Sequence, residues 1–63
     1  MKQISIKAAR ANSNLSQTQL AEKVGVSRDS IKNYENGKII PNVDVAFRIA
    51  EVLGFDVHEI KFF

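Results

Sequence analysis

Between Ser16 and Gly37 the apolar residues recur with helical spacing. Leu20, Ala21 and Val24 fall at i, i+1 and i+4, on one face of a helix predicted from Gln17 to Val24. Ser16 supplies its N-cap, and Gln19, three residues on, completes a capping box. Gly25 ends this helix, because glycine reaches the left-handed conformation without a Cβ clash. Val26 turns back inward, and Ser27 caps a second helix from Arg28 to Asn36. On that helix Ile31 and Tyr34 share the inner face. Asp29, Lys32, Asn33 and Asn36 lie opposite them, with Arg28 and Ser30 at the edges near the N-terminus. Gly37 closes it. Two short helices, a glycine turn and a polar outward second helix make a helix-turn-helix pattern over residues 16–37.

The flanks extend the pattern. Residues 1–14 give a first helix, with Ser5 as its candidate cap, Ile6 and Ala9 facing inward and Ala8, Ala9 and Ala11 as strong helix formers. Asn14 stands where that helix must stop, and Leu15 reads as a core residue at the corner. Lys38 to Asn42 is a loop. Pro41 disfavours helix at Ile40, and of Ile39 and Ile40 one is expected under the domain and the other partly exposed. Val43 to Leu53 forms a helix that is apolar over most of its circumference. It is either the central helix on which the others pack or one that also faces a second subunit. After Gly54, a second capping box at Asp56-Val57-His58-Glu59 predicts a short fifth helix that turns Val57 and Ile60 inward. The expectation is an all-α, compact bundle of five short helices in a single domain, 1–63. Its core is Ile6, Ala9, Leu15, Leu20, Ala21, Val24, Val26, Ile31, Tyr34, Ala46, Ala50, Leu53 and Ile60.

Composition narrows the chemistry. The 44% apolar content suits a globular domain. The apolar runs are far below the roughly 20 residues of a membrane span, and Lys2 leads into polar residues rather than the apolar core of a signal peptide. A soluble, cytoplasmic protein without membrane contact is the expectation. Cysteine is absent, and His58 is the single histidine. No nucleophile–base pair, glycine-rich phosphate loop or metal-ligand spacing occurs, so no catalytic residue, metal or cofactor is expected. His58 reads as a surface residue. The net charge of +2 points only weakly to a polyanionic partner.

The residues Gln17-x-x-Leu20-Ala21-x-x-x-Gly25-Val26-Ser27-x-x-x-Ile31-x-x-Tyr34-Glu35-Asn36-Gly37-x-x-x-Pro41 resemble the lambda-repressor-like (Cro/C1-type, XRE) helix-turn-helix family, and Ile49-Ala50-x-x-Leu53-Gly54 extends the match. The resemblance covers nearly the whole chain with its elements in order. It implies a non-catalytic DNA-binding domain whose second motif helix enters the major groove. It also implies that Arg10 pairs with Glu35, tying the first helix to the end of the third. Two solvated surface charges are the alternative.

A helix docked by its N-terminus presents its early outward side chains to base edges. Those are Arg28, Asp29 and Asn33, with Ser30 at the margin. Arginine can grip guanine and asparagine adenine, whereas the Asp29 carboxylate must accept from cytosine or brace Arg28. Phosphate contacts are expected from Gln17, a position the family uses in this way, and from Lys32, Asn36 and Lys38. For Asn36 and Lys38, helix termination and loop solvation are the alternative roles.

Two functions remain open. One is a sequence-specific, Cro-like transcriptional regulator, a repressor acting on operator DNA as a homodimer. The other is an interaction module that acts through a partner protein, as an antirepressor or antitoxin component does. A lone recognition helix reads few base pairs, so a homodimer contact is expected from Val52, Phe55, Phe62 and Phe63, with a plug for the monomer's own core or a contact with a heterologous partner as the alternatives.

Overall fold

Each helix begins where a short polar side chain takes over a free backbone donor. In the computed structural model, which describes residues 2–62, the Ser5, Ser16, Ser27 and Asn42 side chains accept from the amides of Ala8, Gln19, Ser30 and Val45. The helices they start are α1 (Ile6–Asn12), α2 (Gln17–Val24), α3 (Arg28–Glu35) and α4 (Val43–Leu53). Asn14 stops the first by adopting φ 57°, and Gly25 and Gly54 stop the second and fourth in the left-handed conformation. None of these helices is long and apolar enough to cross a membrane.

The expected fifth helix is a single 3₁₀ turn, Val57–Glu59. Its capping box forms: the Asp56 carboxylate accepts from the His58 amide at 2.9 Å, and Glu59 Oε1 accepts from the Asp56 amide at 2.8 Å. The chain then leaves helical geometry, because Ile60 is extended (φ −107°, ψ 133°) and pairs with the N-terminus. Strands β1 (Ile4–Ser5) and β2 (Ile60–Lys61) run parallel, with Ile4 opposite Ile60 and Ser5 opposite Lys61. The described chain is therefore a four-helix domain closed by a small strand pair. The first helix is correspondingly shorter than residues 1–14, since residues 4–5 serve the strand.

The core gathers Ile6 and Ala9 from α1, Leu20, Ala21 and Val24 from α2, Ile31 from α3, Val45, Ile49, Ala50 and Leu53 from α4, and Ile60 from β2. Leu15, Val26 and Tyr34, expected inside, pack half-buried against it. On α4 the buried stripe runs through Val45 and Ile49, and Ala46 is displaced to its edge. Burial on several sides of α4 is not what forms, since Val43 and Phe47 are 68% and 56% exposed. Ile39 and Ile40 both face solvent, and Pro41 is the loop residue that tucks under the domain.

Candidate nucleic-acid interface

The two motif helices are held in register by their own ends. The capping box of α2 closes with Ser16 Oγ accepting from the Gln19 amide at 3.0 Å and Gln19 Oε1 accepting from the Ser16 amide at 2.8 Å. At its other end Gly25, at φ 88°, lets both its own amide and that of Val26 donate to the Ala21 carbonyl, at 2.8 and 3.0 Å. The chain thereby reverses within three residues, and Ser27 opens α3. Ile31 is the fully buried anchor of α3, which fixes the helix roll and turns the polar residues away from the core.

Arg28, Asp29 and Lys32 are exposed, and Asn33 is half-buried beside them. Ser30 is less free. It is half-buried, and its hydroxyl lies 2.9 Å from that of Ser27, inside the cap. Past the helix, the Asn33 carbonyl accepts from the amides of Lys38 and Ile39 at 2.9 and 3.3 Å, and Asn36 Oδ1 accepts from the Lys38 amide at 3.0 Å. Asn36 thus shapes the turn that carries the exposed Lys38 side chain.

Behind α3, Arg10 grips Glu35 with two nitrogens, Nε to Oε2 at 2.5 Å and Nη2 to Oε1 at 3.2 Å. A third, Nη1, donates to the Leu15 carbonyl at 2.9 Å. The side chains are 15% and 5% exposed, so the pair is largely withdrawn from water. Gln17 Nε2 adds a hydrogen bond to Glu35 Oε1 at 3.0 Å. Burial pushes the Glu35 carboxyl up, but the Arg10 and Gln17 hydrogen bonds and the attraction of Arg10 and Lys7 outweigh it and hold it below its ordinary value of 4.5. One carboxylate therefore joins α1, the start of α2 and the end of α3.

Gln17, Lys32 and Asn36, three of the expected phosphate contacts, line one open depression of about 330 Å³ together with Glu35 and Lys7. Lys38 lies outside that lining, on the loop. Lys7 escaped the sequence reading. Its signal was its place three residues before Arg10, on the same face of the first helix. Because Arg10 neutralises Glu35, the two lysines leave the depression with an excess of positive charge. Arg10–Glu35 is the ion pair formed among the described residues, and among these neither lysine is taken up by a carboxylate.

The proposed dimer residues fall elsewhere. Val52, Phe55 and Phe62 are half-buried against their own core, and Phe63 lies outside the described residues.

A family profile described as helix-turn-helix matches residues 6–60. An uncharacterized HTH-type transcriptional regulator of Methanocaldococcus jannaschii is 44% identical over 55 residues, which span 87% of this chain and 83% of that protein. One from Archaeoglobus fulgidus is 40% identical over 58 residues, 92% of this chain and 82% of that protein. The ImmF control region 10 kDa protein of Bacillus phage phi105 is 34% identical over 56 residues, 89% of this chain and 62% of that protein. No solved structure matches.

Proposed function

The chain belongs to the lambda-repressor-like helix-turn-helix family and is a DNA-binding transcriptional regulator, and from that premise we propose that it represses by seating α3 in the major groove of an operator as a homodimer. Arg28, Asp29 and Asn33 read base edges, with Ser30 supporting the helix start more than reading. Lys7, Gln17, Lys32, Asn36 and Lys38 hold phosphates on either side. Binding rather than catalysis is its activity.

The observation that carries this reading is the division of labour on α3. Ile31 alone is fully buried, while Arg28 and Asp29 project into solvent from the end capped by Ser27 and Lys32 does so from the last turn. A helix docked by that end brings partial positive charge and free donors to the DNA. Two copies on a two-fold site would read two half-sites about one helical turn apart.

Selection of binders from a pool of random duplexes, followed by footprinting of the enriched sequence, tests the proposal. The expected result is an inverted repeat with half-site centres about 10 base pairs apart. Enrichment of no sequence would overturn DNA reading and favour action through a partner protein. Enrichment of an unpaired half-site would overturn the dimer.

A further inference from the structure

Five asparagines stand in the chain, and Asn36 alone is followed by a glycine. Asparagine is chemically labile, because the backbone nitrogen of the next residue can attack its side-chain amide carbon and close a five-membered ring. A side chain on that next residue obstructs the attack, and a backbone held in a helix cannot make it. Asn12 and Asn33 lie within α1 and α3. Asn14 precedes Leu15, which packs against the core, and Asn42 precedes the β-branched Val43 at the start of α4. Asn36 has none of these restraints.

Its surroundings favour the attack. Asn36, Gly37 and Lys38 are all exposed, so water reaches the turn. A Cβ built on Gly37 would meet no atom within 4 Å, so the residue has room to move. The Gly37 amide donates to the Tyr34 carbonyl at 3.4 Å, longer than the about 2.7–3.2 Å usual for such a bond. The Lys38 amide donates to Asn36 Oδ1 at 3.0 Å and so draws electron density from Cγ, the carbon to be attacked. Lys7 and Lys32 line the same depression as Asn36 and favour the oxyanion that forms there. One restraint remains. At ψ 5° Asn36 keeps the Gly37 nitrogen turned away from Cγ, and the Lys38 and Ile39 amides tie the turn to the Asn33 carbonyl at 2.9 and 3.3 Å. The reaction therefore runs through local opening of an exposed turn, which needs no global unfolding.

We propose that Asn36–Gly37 is a self-modification site whose reaction ends DNA binding and which bound DNA protects. The Gly37 N–H gives its proton to hydroxide, and the nitrogen attacks Asn36 Cγ. The N–Cγ bond forms, the Cγ–Nδ2 bond breaks, and Nδ2 takes a proton from water and leaves as ammonia. Water then opens the cyclic imide. Cleavage of the N–Cγ bond gives aspartate, and cleavage of the bond from that nitrogen to the backbone carbonyl carbon of residue 36 gives isoaspartate. Either product puts a carboxylate beside Glu35, where two depressions meet, one lined by Lys7, Gln17 and Lys32 and the other by Lys61. That charge repels a phosphate, and isoaspartate also lengthens the main chain in the turn that carries Lys38. The consequence for binding rests on the DNA-binding reading above. A phosphate held at Asn36 keeps the turn shut, so the chain ages when free and is spared when bound.

The test incubates the folded full chain in mildly alkaline buffer, well below its melting temperature, with and without the duplex enriched by selection. Peptide mapping by mass spectrometry follows the exchange of amide for carboxyl at each asparagine, enzymatic methylation counts isoaspartate, and titration counts the chains that still bind. The expected conversion at Asn36 outpaces that at Asn12, Asn14, Asn33 and Asn42 and rises in proportion to hydroxide. It slows about tenfold when free duplex is held at about ten times its dissociation constant. The binding-competent fraction falls in step with intact Asn36. Asn36→Asp, which carries the product's charge from the start, should bind about tenfold more weakly with a salt slope about one unit smaller. Asn36→Gln needs a six-membered ring, so it should stay unconverted and keep whatever binding it starts with. Conversion at Asn36 no faster than at the other four asparagines overturns the site. A converted chain that binds as tightly as fresh chain overturns the loss of binding, and equal conversion on and off the duplex overturns the protection. Conversion at Asn36 in a chain that enriches no duplex supports the site and overturns only the DNA reading.

Discussion

Replacing Glu35 by glutamine is the sharpest single perturbation of this domain. The substitution keeps shape and most hydrogen-bonding capacity but removes the charge that Arg10 was placed to meet. The two hydrogen bonds at 2.5 and 3.2 Å and the low exposures of 15% and 5% put the pair in the buried class. Removing one member of a buried pair costs about 3–5 kcal/mol, because the remaining charge stays out of water. Arg10 keeps some solvent and its bond to the Leu15 carbonyl, so the lower end applies, about 3 kcal/mol. A chain of 63 residues has a total stability of roughly 3–9 kcal/mol, so Glu35→Gln should remove a third or more of it. Urea melts of Glu35→Gln, Arg10→Ala and the double variant give the coupling energy. Single losses within about 0.5 kcal/mol, adding without coupling, would refute the reasoning.

Acid provides an independent arm. The folded Glu35 carboxyl titrates below its ordinary value of 4.5. Between the folded and unfolded values the unfolded chain binds more protons, so stability rises with pH there. The contribution is complete above about 4.5 and is lost as pH falls through the lowered folded value. The gap between wild type and Glu35→Gln should close over that window and stay constant above it. A gap independent of pH would mean that the charge is not what stabilises the pair.

On the sequence enriched by selection, Arg28→Ala should lose about 1–3 kcal/mol at its own base pair and relax preference there, measured by competition with single-base variants. Lys38→Ala should instead weaken binding to all duplexes and reduce the salt slope by about one unit, measured by titration at several ionic strengths. Ile60→Ala should cost about 2–4 kcal/mol in denaturant melts, since its side chain is 1% exposed and fills the junction of β2 with the core. Gly25→Ala should cost about 1–2 kcal/mol in the same assay. The cause is φ 88° and not crowding, because the added Cβ would meet Arg48 Nη1 at an ordinary 3.9 Å.

The helix-turn-helix was legible because its rules are local. Ser16 with Gln19, Gly25, and Ser27 each act within three or four residues, and their hydrogen bonds follow from residue type. The same locality explains the misreading at the C-terminus. The Asp56–Glu59 box predicts a helix start correctly, but whether a helix continues depends on what Ile60 meets, and it meets Ile4 from the far end of the chain. The only local hint was the alternation of apolar and polar residues in Ile60-Lys61-Phe62 and in Ile4-Ser5-Ile6, a period of two too short to weigh against helix. The α4 helix failed for a different reason. With eight apolar residues in eleven, its pattern admits more than one buried stripe. Packing of α2 against it selects Val45 and Ile49 and leaves Phe47 outside. Arg10 and Glu35, 25 residues apart, were reachable through family resemblance but not through periodicity.

Some of the short polar residues at this interface are already committed within the chain, Ser27 and Ser30 to the α3 cap and Asn36 to the Lys38 amide, whereas the side chains of Asp29 and Asn33 make no hydrogen bond among the described residues. The long cations Lys7, Arg28, Lys32 and Lys38 are exposed. Rigid short groups fix where the backbone sits, and flexible cations supply reach and charge, with their ordering deferred to binding. Gln17 stands between the two classes. Its amide carries two N–H donors and a carbonyl acceptor, and Glu35 occupies a single donor. In the proposed complex the second donor is free for a phosphate in the depression it shares with Lys7 and Lys32. A bare Glu35 carboxylate would repel that phosphate. Paired with Arg10, it becomes the acceptor that sets which way the Gln17 amide points. In the proposed complex the ion pair that joins α1 to α3 would thereby also orient a phosphate donor, so that stability and DNA positioning would pass through the same carboxylate.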